Sequence, residues 1–302
     1  MQALANLKHG YTLYAVDPSR NSLDLALKMY EEVKTNSSPE LFQTVDINEL
    51  PPKLFTVIIA TNSKQRYPVT KALLDKEIQN IIFEKILFQN PNEYHDIENH
   101  LINKNIQSWV NCWRRIIPFY QKLRESIQNN KLISLEVTGD NWGMASNVIH
   151  FIDLLCYLFR EQKYFFSEYH IDLIPGKRDK YFEFIGKIKG FFGDESIPIS
   201  FQSFNNSNEL SLFTTLQFDN KSIIIDDVNC TWVEKNNDIE GKIQKWVLPH
   251  QSEMTNLIID DLNINNTCYL PQFSESCKLH LPMIEFFTRI FHKSGIHGCP
   301  IT

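Results

Sequence analysis

Between Gly10 and Gly139 the chain contains no glycine. A loop that wraps a phosphate needs glycine where its backbone turns with positive φ and closes on the ligand. No glycine-rich phosphate loop can therefore lie within residues 11–138. Anything built there must rely on side chains and ordinary turns. The shortage is general, with 10 glycines in 302 residues, about half the usual share of ~7%.

Within that glycine-free stretch, short apolar runs alternate with amphipathic segments, the rhythm of βα units around a parallel sheet. Residues 11–16 (YTLYAV) are β-rich and end at Asp17-Pro18, and 21–33 then carry Leu23, Leu27 and Tyr30 at helical spacing. A brief run at 42–45 precedes 54–60 (LFTVIIA), nearly all apolar, as a strand covered on both faces should be. The turn Thr61-Asn62-Ser63 leads to a helix over 66–75. Residues 80–83 then run into Glu84-Lys85, followed by a helix over 92–103 and a strand over 106–110. The expectation is a parallel α/β domain over 1–110.

From Arg114 the texture changes. A helix (117–127), a strand (132–138) and a long apolar helix (147–159) come first, and strands follow at 170–174, 182–188, 197–204, 211–218 and 222–226, with Asp219-Asn220 as a hairpin signal. A last helix spans 275–291. This reads as an α+β domain over 111–302, a mainly antiparallel open sheet with helices on one face.

Hydrophobic residues at 43% and charged residues at 22% suit a globular chain with a real core. A net charge of -6 without basic runs makes nucleic acid an unexpected partner. The most apolar segment, 148–159, is interrupted by His150 and Asp153 and falls short of the ~20 residues of a membrane span. No basic and apolar leader opens the chain, and the six cysteines include no C-x-x-C pair. Reduced thiols, no membrane and a cytoplasmic location are the expectation. His292 and His297 lack helical metal-ligand spacing, so no metal is assigned.

Several segments together resemble the Gfo/Idh/MocA oxidoreductases, the glucose-fructose oxidoreductase and inositol dehydrogenase family, over nearly the whole chain. Val16-Asp17 resembles the acid-terminated second strand of a dinucleotide fold, and Met1-Gln2-Ala3-Leu4 the tail of the helix before it, read here over 2–8. Glu84-Lys85 resembles the family's E-K-P motif with Ile86 in place of proline. Cys112-Trp113-Arg114-Arg115 with Pro118 resembles the opening of the second domain, and Trp142 through Asp153 resembles the G-x-x-x-D-x-x-x-H helix. There Ser146 stands in the aspartate position, Asn147 lies beside it, and His150 matches the histidine. Tyr269-Leu270-Pro271 with Glu275 and His280 resembles the closing segment.

The resemblance implies an incomplete Rossmann-like domain whose first strand and glycine turn belong before Met1, through a misassigned start or a truncation. It implies NAD or NADP as cofactor, bound beside Asp17, Thr61, Asn62 and Glu84, with NAD favoured because the Asp17 carboxylate repels a 2'-phosphate. It implies hydride transfer to or from a sugar or sugar derivative, possible nucleotide sugars included, with Lys85 and His150 as the catalytic pair. Arg115, Trp142, Ser146, Asn147 and Asp153 would face the substrate. Read from the residues alone, a lone histidine on an apolar helix also suits a core position, and Arg115 also suits a tie between the domains. The alternative function is a degenerate, non-enzymatic sugar-binding or assembly protein, favoured by the absent glycine turn and by Ser146. The family implies a homodimer or homotetramer through the second-domain sheet.

Overall fold

The computed structural model describes residues 1–7, 10–206, 210–236, 239–249 and 253–302. Its first third is β1 (Thr12–Val16), α1 (Arg20–Glu31), β2 (Glu40–Thr44), β3 (Lys53–Ile59), α2 (Ser63–Leu73), β4 (Glu77–Phe83), α3 (Pro91–Asn103) and β5 (Gln107–Val110). Every ladder among these strands is parallel. Ile59, Ile81, Phe83 and Val110 belong to the main core, while the alternate residues Ile82 and Trp109 join a second cluster with Leu7, Ile258, Ile259 and Leu262. Cover on both faces is why residues 54–60 read as a nearly all-apolar run.

The parallel sheet is interrupted. Among the described residues β1 pairs with β2, and β3 with β4 and on to β5, but no ladder joins the two pieces. They meet through side chains instead: Tyr11 and Leu13 pack with Phe55 and Ile58, and the Tyr11 and Phe55 rings lie 6.2 Å apart. Ahead of β1 the described residues form a 3-10 turn, Ala3–Asn6. Lys8, the end of the helix tail read over 2–8, lies outside the described residues.

The rest comprises α4 (Pro118–Ser126), β6 (Leu132–Asp140), α5 (Met144–Phe159), β7 (Tyr164–Pro175), β8 (Phe182–Phe192), β9 (Ile197–Phe204), β10 (Ser211–Phe218), β11 (Lys221–Asp226), β12 (Thr231–Asn236), β13 (Ile239–Glu240), β14 (Gln244–Lys245), α6 (Thr255–Asn265) and α7 (Phe273–Lys293). One large sheet runs β13-β12-β11-β10-β6-β9-β8-β7, with β14 beside β12. All its pairs are antiparallel except β6 with β9. The α5 crossover returns β7 in the sense of β6, and two reversals then leave β9 parallel to β6. The 219–220 turn joins β10 and β11 as expected.

Gly139, which closes the glycine-free stretch, lies on β6 where a Cβ would collide with the Ser211 carbonyl of β10. Four elements escaped the sequence reading, β12, β13, β14 and α6. The α6 segment, TNLIIDDLNIN, is rich in weak helix formers. It is helical because Ile258, Ile259 and Leu262 bury against the second cluster. No helix among the described residues is long and apolar enough to cross a membrane.

Candidate functional site

Ligands of open α/β sheets bind beyond the carboxyl ends of the strands. At that edge β3 leads into Thr61 and Asn62, β4 into Glu84 and Lys85, and β5 into Asn111. The edge is knitted by main chain: the Glu84 amide donates to the Ile59 carbonyl at 3.1 Å and the Asn111 amide to the Phe83 carbonyl at 2.8 Å. Asn111 Nδ2 also donates to Glu84 Oε1 at 2.6 Å.

The turn after Lys85 is held by Arg66, a guanidinium with 1% exposure. It donates to the carbonyls of Thr61, Ile86 and Leu87. Sequence reasoning passed over Arg66, since a basic residue in the first turn of a helix ordinarily points to water. Burial pulls its guanidinium down to about 10, and the Lys85–Ile86 peptide is cis.

Lys85 reaches from this edge to the first turn of α5. Its Nζ donates to the Ser146 carbonyl at 3.0 Å and to Asn147 Oδ1 at 3.2 Å. Asn147 in turn donates from Nδ2 to the Trp142 carbonyl at 2.7 Å. Burial lowers the Lys85 pKa, while Glu84 and Glu183 oppose that shift. One turn further along α5, His150 is 6% exposed and lies edge-on to Trp113, with ring centroids 5.9 Å apart. Burial first, then the charges of Lys85 and Arg114, push its pKa well down, so the imidazole is neutral at neutral pH. Its Nδ1 is buried with no partner. The structure therefore brings Lys85, Ser146, Asn147 and His150 into one constellation.

Three residues expected to face substrate are committed elsewhere. Arg115 donates from Nε to Asp153 Oδ2 at 2.9 Å and from Nη2 to Asp153 Oδ1 at 2.7 Å, with Glu275 of α7 at 2.8 Å from the same Nη2. Asp153 has no exposed surface, and burial pushes its carboxyl up to about 6 against the pull of Arg115. Both residues serve as a tie between α5, α7 and the turn after β5. The Trp142 indole, 4% exposed, donates to the Gln202 carbonyl at 2.9 Å. These contacts tie all three residues to the protein itself.

Glu183, which sequence reasoning missed, comes from β8 onto the first turn of α5. Nothing local marks it in the sequence, because only the fold brings the strand to the helix end. Two surface cavities lie away from this constellation. One of about 520 Å³ is lined by Lys53, Glu77 and Ile106 at the opposite end of β3–β5. The other, about 560 Å³, lies beside Phe119, Trp232 and Trp246.

The residues proposed for a nicotinamide dinucleotide fit one end of it. Near Lys85, Glu84 and the buried, unpartnered Thr61 hydroxyl are placed for the nicotinamide side. The diphosphate finds no seat among the described residues. No glycine turn follows β1, β3 or β4. The N-termini of α1, α2 and α3 are each closed by their own side chains, Ser19 on the Ser22 amide, Asn62 on the Gln65 amide and Asn90 on the Asn92 amide. Asn62 additionally accepts from the Tyr181 hydroxyl at 2.9 Å. Asp17 follows β1 of the separate two-stranded sheet and accepts from the Ser19 amide at 2.8 Å, a helix-start turn.

No family model matches the sequence, and no curated protein matches it. Solved structures do match the fold. A dehydrogenase (MviM) from Clostridium difficile superposes with TM-score 0.71 at 14% identity, covering 96% of this chain and 93% of that one. UDP-N-acetylglucosamine 3-dehydrogenase GnnA from Acidithiobacillus ferrooxidans gives 0.69 at 9%, covering 92% and 96%. A super-repressor mutant of Gal80p from Saccharomyces cerevisiae gives 0.67 at 14%, covering 95% and 89%. The chain thus shares the fold of these structures, parallel strands with helices followed by a large, mainly antiparallel sheet.

Proposed function

We propose that the chain belongs to the Gfo/Idh/MocA family and is an oxidoreductase acting on a hydroxyl or keto group of a sugar or sugar derivative, nucleotide sugars included. One observation carries the reading: Lys85, from the carboxyl end of a parallel strand, meets the first turn of the His150 helix in a buried, polar cluster. A half-buried amine and a buried, neutral imidazole, both with pKa values lowered by burial, are groups suited to proton exchange with an alcohol. Lys85 commits two hydrogen bonds to α5, which orients the amine and leaves one position for a substrate oxygen. His150 on the same helix would accept the hydroxyl proton or return it to a carbonyl oxygen. The redox partner in this reading is NAD or NADP, with NAD favoured by Asp17. No step is assigned to it, because its diphosphate has no seat among the described residues. A cytoplasmic setting and a homodimer or homotetramer formed by the large sheet complete the proposal.

Ser146, standing where the resemblance places an aspartate, favours a second reading, a sugar-binding protein without turnover. A super-repressor shares the fold, so the architecture also serves functions other than oxidoreduction. Thermal-shift and fluorescence titrations with NADH, NADPH and a panel of sugars and nucleotide sugars separate the two. The enzyme reading expects a nicotinamide cofactor and a sugar to bind, and sugar-dependent change in NAD(P)H absorbance that falls at least ~100-fold in Lys85→Met. Sugar binding without binding of either cofactor supports the second reading and ends the first.

A further inference from the structure

The helix carrying His150 starts without a cap of its own. Its N-cap residue is Gly143, at φ +66°, which has no side chain to accept from the first-turn amides. The first turn also holds no acidic residue. Those amides are satisfied from outside. Glu183 Oε2 accepts from the amides of Ala145 at 2.9 Å and Ser146 at 3.3 Å, and Glu183 Oε1 accepts from the Ser146 hydroxyl. A Cβ at residue 143 would lie 3.3 Å from Glu183 Oε1 and 3.1 Å from Asn147 Nδ2. The glycine thus supplies the positive φ and leaves room for the visiting carboxylate.

The same turn receives Lys85 from the other side. Lys85 donates to the carbonyl of Ser146, whose amide and hydroxyl both point to Glu183. A carboxylate and an amine are thereby fixed on opposite ends of one residue. We propose that Glu183 is a positioning residue of this site, which through Ser146 holds the first turn of α5 against Lys85 and supplies the negative charge that the helix itself lacks. This inference rests on the reading of Lys85 as the site's proton-exchanging group. Glu183 would keep the ammonium form of Lys85 accessible in a buried place and keep its two acceptors, the Ser146 carbonyl and Asn147, in register. The ionisable groups facing Lys85 are Glu84 on its own turn, Glu183 from β8, Cys112 after β5 and Arg66 from α2. His150 and His280 in turn feel its charge.

The test reads the Lys85 amine directly. Its Nζ resonance is followed with pH in protein carrying isotope-labelled lysine, and is assigned by its loss in Lys85→Arg. Removing a nearby carboxylate charge disfavours the ammonium form, so Glu183→Gln should lower the Lys85 midpoint by about one pH unit, a tenfold change in its proton affinity. Glu183→Asp should recover most of the shift. Moving the carboxylate onto the helix, in the double variant Ser146→Asp with Glu183→Gln, should return the midpoint to within a few tenths of a unit. A purely structural Glu183 would lower thermal stability and leave the midpoint unmoved, and that result in a folded Glu183→Gln protein overturns the proposal. So does a double variant that keeps the Glu183→Gln midpoint. The measurement needs neither substrate nor cofactor, so its failure is distinct from a failure of the oxidoreductase reading in the binding titrations.

Discussion

Replacing Asp153 by Asn separates a tie between elements from a substrate contact. The carboxylate is fully buried and receives two hydrogen bonds from Arg115. Deleting its charge leaves the guanidinium, itself 6% exposed, with Glu275 as its remaining carboxylate. Breaking a buried pair from one side costs about 3–5 kcal/mol. The Glu275 side chain, 27% exposed, retains part of the compensation, so the lower end, about 3 kcal/mol, is expected. At roughly 2 °C per kcal/mol for a chain of this size, Tm should fall by about 6 °C. Circular-dichroism melts and urea titrations measure the loss, and sugar binding by the folded variant should be unchanged. Replacing both partners together, Arg115→Met with Asp153→Leu, should cost less than the single change, since the carboxylate then left without its partner is Glu275, whose side chain is 27% exposed. A folded Asp153→Asn protein with the parent Tm and no sugar binding would refute the reasoning and return Asp153 to the substrate side.

Other perturbations address the supports of the site. Arg66→Leu orphans three carbonyls, those of Thr61, Ile86 and Leu87, and should destabilise by about 3 kcal/mol in urea titration. Because burial holds His280 neutral, with its pKa near 3, the unfolded chain binds a proton there that the folded chain refuses. Its contribution is intact above pH ~6.5 and is lost toward pH 3 at about 1.4 kcal/mol per pH unit. Urea midpoints should fall over that window, and less steeply in His280→Leu. Gly139→Ala drives a methyl into the Ser211 carbonyl and should cost at least ~2 kcal/mol by the same titration.

Much of this arrangement was legible because it is periodic. The β3 run and the strand-helix alternation come from burial on one or both faces, which sequence spacing records. Lys85, Ser146, Asn147 and His150 came through family resemblance and local spacing, since residues four apart share a helix face. What was not legible is long-range. Glu183 lies 37 residues from Ser146, and no pattern in β8 distinguishes it from a solvent-facing acid. Asp153 and Arg115 entered the expected site through family resemblance, Arg115 also as a tie between domains, and in the structure each is the other's partner. The α6 helix was hidden because its propensity is poor and its stability comes from the surface it covers.

The charge balance around Lys85 narrows the ligand that the site can favour. Two carboxylates, Glu84 and Glu183, face it with one further cation, Arg66, while His150 and His280 are held neutral by burial. Lys85 and Arg66 together match the two carboxylates, so the cluster is close to neutral as it stands. A carboxylate or phosphate placed directly at Lys85 would enter a buried region whose cations are already paired, and burying an uncompensated charge is costly. A neutral hydroxyl or carbonyl carries no such penalty and can use the remaining position of the amine together with the imidazole. That favours a sugar alcohol or ketone at the reacting position over a hydroxy acid bound through its carboxylate. If the substrate bears phosphates, they must lie away from Lys85, and lactate-type acids should then compete for the site far more weakly than neutral polyols in the same thermal-shift titration. Equal or tighter binding of the hydroxy acids would mean that Glu183, whose carboxyl burial pushes up, is protonated in the free protein and that this charge balance is wrong.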